Sequence, residues 1–259
     1  MEEKRIISIV NHKGGSGKTT TTINMGVALG LEGYKVLLID WDPQANLSFS
    51  FGIDDDHQPT LVDIFYGNAN FEDAIVQSEN VNILPATIQL ADLEYSISRD
   101  KSNYTFLNEL LKDVTEYDFI LIDCPPSLSI LTLNALFAST EVIIPAQMEV
   151  LSAKGIELML NTIHQMQDTV NPDLTVVGVL CVMFDSRKSL NKEVNDHIKS
   201  ALDVAVFDEV IRTNVKISEA PSFGESVITY APNSNGAIDY LNFTKAYLKM
   251  INQLETTIK

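Results

Sequence analysis

A ten-residue segment near the amino terminus combines three glycines, two lysines and three hydroxyl side chains. It reads Asn-His-Lys-Gly-Gly-Ser-Gly-Lys-Thr-Thr over residues 11–20. Glycines let successive backbone N–H groups converge on one anion, because no Cβ stands in the way. Lys18 would add a positive charge for β- and γ-phosphates, and the Thr19 hydroxyl suits the Mg²⁺ that bridges them. The spacing therefore predicts a site for a nucleoside triphosphate.

The segments on either side of this loop have the patterns of a strand and a helix. An apolar run at 6–10 precedes the loop, and an amphipathic pattern begins near Thr20. A phosphate-binding loop requires this order, because the helix presents its positive amino-terminal end to the anion. The alternative is a chance glycine-rich turn, and the matching flanks argue against it.

Acidic residues follow two other strand-like runs. Residues 40–44 read Asp-Trp-Asp-Pro-Gln, and Asp123 follows the apolar run 119–122 and precedes Cys-Pro-Pro-Ser at 124–127. An Asp after a strand can simply begin a turn, so neither motif is decisive alone. Phosphoryl transfer, however, needs positioned charge and a positioned water, which carboxylates can supply.

The loop departs from the ordinary pattern G-x-x-x-x-G-K-[ST] at its first position, where this chain has His12, followed by Lys13. In these residues the chain resembles the ParA/MinD family of deviant Walker A ATPases, whose loop reads K-G-G-x-G-K-[ST]-[ST]. The resemblance implies that Lys18 acts on ATP in cis. It also implies that Lys13 reaches across an ATP-dependent homodimer to the phosphates of the partner's ATP.

The resemblance extends to the acidic motifs, which match the family's switch I (D-x-D-P-Q) and switch II (D-x-P-P-[SG]). It implies that Asp42 positions the attacking water and joins Lys13 and Lys18 as a catalytic residue. The implied Mg²⁺ residues are Thr19, Asp40 and Asp123. The implied ATP-binding residues are Lys13, Gly14, Gly15, Ser16, Gly17, Lys18, Thr19, Thr20 and Asn214.

Two segments of the second half, 183–185 and 214–222, also resemble family segments. By this resemblance Asn214 contacts the adenine. Two residues earlier, where relatives usually have proline, this chain has Arg212, so base recognition is expected to differ in detail.

The resemblance further implies that Arg187 and Lys216 hold the phosphates of non-specific double-stranded DNA. The net charge of −17 argues against a protein that binds nucleic acid through an overall positive charge. Residues 41–100 contain eleven Asp/Glu and one Arg, whereas 181–230 contain eight Asp/Glu and six Lys/Arg. The charge distribution therefore still allows a local basic strip in the second half of the chain. The alternative is that both cations are only solvated surface charges.

Strand-like and helical patterns alternate along the chain and must position these residues. Continuous apolar runs predict strands at 5–11, 35–40, 81–85, 118–123, 141–146 and 174–182, with a weaker one at 204–210. Helical patterns lie at 20–32, 104–115, 130–138, 153–169, 192–202 and 238–258. We expect an α/β fold with a doubly wound, mostly parallel sheet flanked by helices, and functional residues at the carboxyl ends of its strands.

Length and composition favour one domain spanning 1–259. The chain is 45% hydrophobic and shows no linker, repeat or low-complexity run. No apolar run approaches the roughly 18 residues of a membrane span, so we expect a cytoplasmic protein, nucleoid-associated by the resemblance, with no membrane partner. Cys124 and Cys181 lack metal-ligand spacing and are expected to be buried thiols.

The resemblance implies a DNA partition ATPase with slow, Mg²⁺-dependent hydrolysis that a ParB-like DNA-binding partner stimulates. One alternative is a MinD-like membrane-cycling ATPase, which would end in a basic amphipathic helix. The tail has few basic residues, and its apolar stripe favours a helix packed on the domain. That stripe is Leu241, Tyr247, Leu248, Ile251, Leu254 and Ile258. A metabolic enzyme is a third alternative, and an iron–sulfur reductase would need a second suitable cysteine beside Cys124.

Overall fold

The computed structural model describes residues 4–54, 56, 59–185, 187, 194, 198–200, 202 and 204–258. One eight-stranded sheet has the order β3-β4-β2-β5-β1-β6-β7-β8. Its strands are β1 (Arg5–Ile9), β2 (Val36–Asp40), β3 (Val76–Ser78), β4 (Val81–Leu84), β5 (Phe119–Asp123), β6 (Glu141–Gln147), β7 (Thr175–Phe184) and β8 (Val206–Arg212). The β3–β4 pair is antiparallel and the other neighbouring pairs are parallel. The predicted α/β fold with a mostly parallel sheet is confirmed.

Helices cover both faces of this sheet. They are α1 (Lys18–Leu31), α2 (Asn46–Ser50), α3 (Leu61–Phe65), α4 (Leu90–Arg99), α5 (Phe106–Lys112), α6 (Ile130–Ala138), α7 (Val150–Thr169), α8 (Val215–Glu219), α9 (Val227–Tyr230) and α10 (Asn235–Ile258). Alternate strand residues point to opposite faces, so Leu37 and Ile39 pack in one hydrophobic cluster and Leu38 in the other. Helices α4 to α7 cover the first cluster, and α1 and α10 cover the second.

The differences from the predicted elements have local causes. Strand β3 was missed because an edge strand of three residues with the sequence Val-Gln-Ser carries almost no periodic signal. The predicted helix 104–115 begins instead as a 3₁₀ segment, Lys101–Thr105, and continues as α5. The prediction for 130–138 is confirmed with the same bounds. The predicted helix 192–202 lies largely outside the described residues.

The long carboxy-terminal helix α10 packs on the domain. Phe243, Tyr247 and Ile251 are buried in the second cluster, which confirms the packed-helix interpretation as far as residue 251. The side chains of Leu254 and Ile258 lie outside the described part. Of the helices that are described, none has the length and apolar character needed to cross a bilayer.

Candidate functional site at the carboxyl edge of the sheet

Parallel pairing of β1, β2 and β5 brings the predicted loop and carboxylates to one edge. Asp123 at the end of β5 is in register with Ile9 at the end of β1 and with Asp40 at the end of β2. The glycine-rich loop follows β1 and leads into α1. The structure therefore joins three motifs that lie far apart in the sequence.

The loop backbone takes the shape that its glycines permit. Gly15 and Gly17 have φ values of 69° and 84°, in the left-handed region that disfavours other residues. A Cβ on Gly17 would also lie 3.3 Å from Val182 Cγ2. Gly17 is the N-cap of α1 and supplies no side-chain cap, so the first N–H groups of a 14-residue helix remain available to an anion.

Lys18 is a buried cation beside this helix terminus. Its residue is only 7% exposed, and its Nζ lies 3.4 Å from the Lys13 carbonyl oxygen. Burial lowers the pKa of Lys18, and the charges of Asp123 and Asp42 partly oppose that shift. A buried ammonium is stabilised best by a nearby anion, which a bound triphosphate would supply.

Asp123 is a buried carboxylate whose two oxygens both lack a hydrogen bond of regular geometry within the described part of the chain. Burial and the neighbouring Asp40 raise the pKa of Asp123 well above its ordinary range. The Thr19 hydroxyl lies close enough to oppose that rise, as does Lys18. A buried carboxylate that has only a threonine hydroxyl as a close donor among the described residues suits a hydrated Mg²⁺.

Asp40 differs from Asp123 because both of its oxygens are engaged. Its Oδ2 accepts from the Ser48 backbone N–H at 2.8 Å and from the Ser48 hydroxyl at 2.7 Å, and its Oδ1 accepts from the Asp42 N–H at 3.3 Å. Burial raises the pKa of Asp40 to about 6. Asp40 thus ties the end of β2 to α2, a structural contact that the sequence analysis missed, and its link to Mg²⁺ stays a prediction.

Lys13 and Asp42 border this edge. Asp42 is 6% exposed, and its Oδ1 accepts from the Gln44 N–H at 3.0 Å. Lys13 Nζ forms an ion pair with Glu149 Oε2 at 2.7 Å, with both side chains partly exposed. Glu149 was missed because it lies 136 positions away and no local pattern marks it.

Asn214 lies beside the loop, at the start of α8. Its Oδ1 accepts from the Lys216 N–H at 2.9 Å and caps α8. Asn214 lines a cavity of about 140 Å³ together with Gly17 and Thr20 of the phosphate loop. Contact with adenine stays a prediction.

Of the two residues predicted to hold DNA, Arg187 is exposed and Lys216 is partly exposed, and each already has a carboxylate partner. Arg187 donates from Nε and Nη2 to the two Asp185 oxygens, at 2.9 Å each. Lys216 Nζ lies 2.7 Å from Glu219 Oε2 and 5.5 Å from the centre of the Tyr230 ring. The structure does not bring Arg187 and Lys216 into one described cluster, and their contact with DNA stays a prediction.

Comparisons with known sequences agree with this architecture. A family described as an AAA domain matches residues 4–176. The chain is 43% identical over 245 residues to the sporulation initiation inhibitor protein Soj of Bacillus subtilis, covering 93% of this chain and 97% of that protein. It is 38% identical to the chromosome partitioning protein ParA of Caulobacter vibrioides, covering 93% and 92%.

Solved structures show the same fold with a nucleotide bound. A structure titled cobyrinic acid a,c-diamide synthase, from Mycobacterium smegmatis with ADP and magnesium, matches with a TM-score of 0.85 at 34% identity, covering 96% of each chain. The septum site-determining protein MinD of Pyrococcus horikoshii, complexed with Mg-ADP, matches with a TM-score of 0.77 at 33% identity, covering 96% of this chain and 98% of that one. With these similarities and the loop from Lys13 to Thr20, the chain belongs to the ParA/MinD family of partition ATPases.

Proposed function

We propose that this protein is a Mg²⁺-dependent ATPase that partitions DNA through a nucleotide-timed cycle. ATP drives homodimerisation, the dimer binds double-stranded DNA without sequence preference, and a ParB-like DNA-binding partner stimulates slow hydrolysis and release. The observation that carries the proposal is the buried Asp123 carboxylate, which lies beside Thr19 and Lys18 of α1 and has no hydrogen bond of regular geometry among the described residues. Unbalanced buried charge of this kind is characteristic of a site built for a charged ligand.

The residues at this edge have separate roles in hydrolysis. The N–H groups of α1 and the Lys18 ammonium bind and orient the triphosphate. Thr19 and Asp123 would hold Mg²⁺, which neutralises charge on the β- and γ-phosphates when bound. Asp42 orients the attacking water. Its Oδ1 accepts from the Gln44 N–H and its own backbone N–H donates to Asp40 Oδ1, and these two bonds hold the residue at the end of β2.

The ion pair between Lys13 and Glu149 is weak enough for Lys13 to exchange the carboxylate for a phosphate group. An exposed ion pair contributes about 0–1 kcal/mol, so breaking it costs little. A phosphate group accepts stronger, charge-assisted hydrogen bonds from an ammonium. Lys13 can therefore leave Glu149 for the partner subunit's ATP once a second copy closes over the site.

DNA binding would use the same kind of exchange at the surface. Arg187 and Lys216 are paired with partly buried carboxylates at the protein surface, and such pairs yield readily to the phosphates of a duplex. One chain of net charge −17 offers only a small basic strip, so binding should require two strips combined in a dimer. Association with the nucleoid follows from this non-specific binding.

Two solved structures with other described roles match this fold, and both hold ADP and magnesium. The MinD relative is described as a septum site-determining protein, and the Mycobacterium smegmatis neighbour as a diamide synthase. Partition is favoured because sequences described as chromosome-partitioning proteins align over more than nine-tenths of this chain at 36–38% identity. The burial of Phe243, Tyr247 and Ile251 also leaves that stretch of α10 without a free apolar face for lipid.

The proposal is tested by measuring phosphate release and mass in parallel. The native protein is incubated with ATP, with ADP and without nucleotide, each with Mg²⁺ and with EDTA. We expect slow release of phosphate that EDTA abolishes, and a dimer by light scattering only with ATP and Mg²⁺. Rapid turnover by a monomer, or no turnover at all, would contradict the proposal.

A further inference from the structure

His12 stands at the start of the phosphate loop, and its ring lies against a glycine of α7. A Cβ on Gly155 would lie 2.6 Å from His12 Cε1 and 2.9 Å from Nδ1, closer than a real Cβ approaches a neighbouring atom. Gly155 is buried in the second turn of α7, whereas His12 remains exposed overall. The missing side chain of Gly155 therefore makes room for an imidazole ring at a position where the ordinary loop pattern has a glycine.

Other contacts join the same loop to the end of β6 and the start of α7. Asn11 Nδ2 donates to the Pro145 carbonyl oxygen at 2.8 Å, and Gln147 Nε2 donates to the Gly15 carbonyl oxygen at 3.0 Å. The N-cap of α7 is Glu149, the carboxylate that pairs with the loop lysine. The phosphate loop is thus braced from the connection between β6 and α7.

The part of the loop next to His12 gains little support from its own side chains. A Cβ at Gly14 or at Gly15 would meet no atom within 4 Å apart from the chain neighbours. The Lys13 ammonium must give up its carboxylate on α7 if it is to reach the partner subunit's ATP. The packing of His12 on α7 does not involve that ammonium, so it can hold the start of the loop while Lys13 changes partner.

We propose that His12, through its contact with Gly155, is a positioning residue for ATP hydrolysis that holds the Lys13 backbone where the side chain can reach the second nucleotide. This inference rests on the proposed function, since it needs Lys13 to act across an ATP-dependent dimer. Lys18 and Thr19 bind the triphosphate from the first turn of α1, on the other side of the loop glycines. Loss of the contact should therefore lower turnover and dimerisation more than ATP affinity.

The test is a double-variant cycle with kcat and KM for ATP as its readouts. Phosphate release with Mg²⁺ is measured over a range of ATP concentrations for the native protein, His12→Ala, Gly155→Ala and the variant with both changes. We expect each single variant to lower kcat by roughly tenfold while KM changes by less than about threefold. The double variant should lose no more than the weaker single variant, because both changes remove the same contact.

Three further variants and a stability measurement separate positioning from a folding defect. His12→Gln keeps a planar polar group at this place and should retain kcat within about threefold of the native value. His164→Ala and Asn161→Ala change exposed positions of α7 and should turn over as the native protein does. The thermal midpoint of Gly155→Ala should stay within about 3 °C of the native midpoint, because alanine favours a helix interior more than glycine does.

The inference would be overturned by native kcat in both single variants, by a higher KM with unchanged kcat, or by a double variant whose loss is the product of the two single losses. An equal loss in His12→Gln and His12→Ala would also overturn it. If Gly155→Ala is strongly destabilised, the two His12 variants decide the question without it. No turnover by the native protein with ATP and Mg²⁺ would instead overturn the proposed function.

Discussion

Cations meet two different environments in this protein. Lys18 is buried at a helix amino terminus, near two aspartates whose charges do not fully offset its burial. Arg187 is exposed and Lys216 is partly exposed, and each already forms an ion pair with a carboxylate two or three residues away. The first arrangement leaves a charge for a ligand to satisfy, whereas the second is balanced without one. A bound phosphate should therefore matter far more to the buried edge than to the exposed cations.

The largest expected effect is at Lys18. Lys18→Ala removes the buried cation nearest the phosphates and should weaken ATP binding by about 100-fold or more, as measured by calorimetry. Lys249→Ala, at an exposed position of α10, is the matched control and should bind ATP normally. Undiminished ATP affinity in Lys18→Ala would contradict the claim that bound phosphate matters more to the buried cation than to the surface cations.

Asp42 should affect turnover rather than affinity. Asp42→Ala should reduce hydrolysis by about 100-fold while ATP binding persists, because the side chain orients water and does not hold the nucleotide. The variant should accumulate as an ATP-bound dimer in sizing chromatography. An unchanged rate, or a monomer with ATP, would assign Asp42 to the structural bonds it makes with Gln44 and Asp40.

Lys13 extends the comparison because it lies within the loop itself but is partly exposed and already forms an ion pair. Lys13→Ala should lose ATP-dependent dimerisation and turnover, with monomer ATP affinity changed less than about tenfold. Glu149→Gln frees Lys13 from its intramolecular partner and should dimerise at least as well as the native protein. Normal dimers and turnover in Lys13→Ala would place this chain among ordinary phosphate-loop ATPases.

The buried charge of Asp123 should destabilise the folded protein when no nucleotide is bound. Asp123→Asn removes a buried charge and should raise the free energy of unfolding of the nucleotide-free protein by about 1–2 kcal/mol while abolishing hydrolysis. Thermal unfolding followed by circular dichroism measures the change as a rise of about 2–8 °C. Equal or lower stability of the variant would mean that the Asp123 charge is already compensated.

The pH dependence of that difference has a definite sign. Burial raises the pKa of Asp123 above its unfolded value, so the folded protein binds the extra proton and becomes relatively more stable as pH falls. The difference in the free energy of unfolding between Asp123→Asn and the native protein should therefore become smaller when the pH is lowered from about 8 to about 5. Asp40, with a pKa of about 6, interacts with Asp123 through their like charges, so Asp123→Asn also lowers the pKa of Asp40 and the measured difference reports the titration of the pair.

The smallest expected effect is at the exposed cations. Arg187→Glu combined with Lys216→Glu should weaken binding to unrelated duplexes alike, by roughly tenfold at moderate salt. Lys245→Glu combined with Lys249→Glu makes the same change in net charge on α10 and should weaken binding less. Equal losses in the two double variants would mean that only net charge matters and that Arg187 and Lys216 do not mark the DNA site.

Local sequence patterns predicted that the phosphate loop and Asp123 lie at the carboxyl edge of the sheet, because each of these features belongs to a short contiguous motif. Glycine spacing determined the loop, and an apolar run ending in Asp123 predicted a strand whose carboxyl end reaches the loop. The partners were not predictable in this way. Glu149 and Ser48 meet their partners through the fold, and a lone acidic or hydroxyl residue carries no signal of the neighbour it will have.

The exposed cations illustrate the other limit of sequence analysis. Arg187 and Lys216 were predicted from the family resemblance. Their carboxylate partners, Asp185 and Glu219, lie within three residues of them in the sequence. Sequence alone does not tell whether such neighbours form ion pairs, because exposed side chains gain little from pairing. The structure shows the pairs, and only the competing phosphate decides whether they open.

The most direct test of the DNA-partition proposal is fluorescence anisotropy of unrelated duplexes with the native protein in ATP and in ADP, over a series of salt concentrations. We expect binding with ATP and Mg²⁺ that is similar for every sequence, falls steeply with salt and is nearly absent with ADP. Absence of binding to any duplex with ATP at low salt, or equal binding with ADP, would contradict a nucleotide-timed DNA carrier.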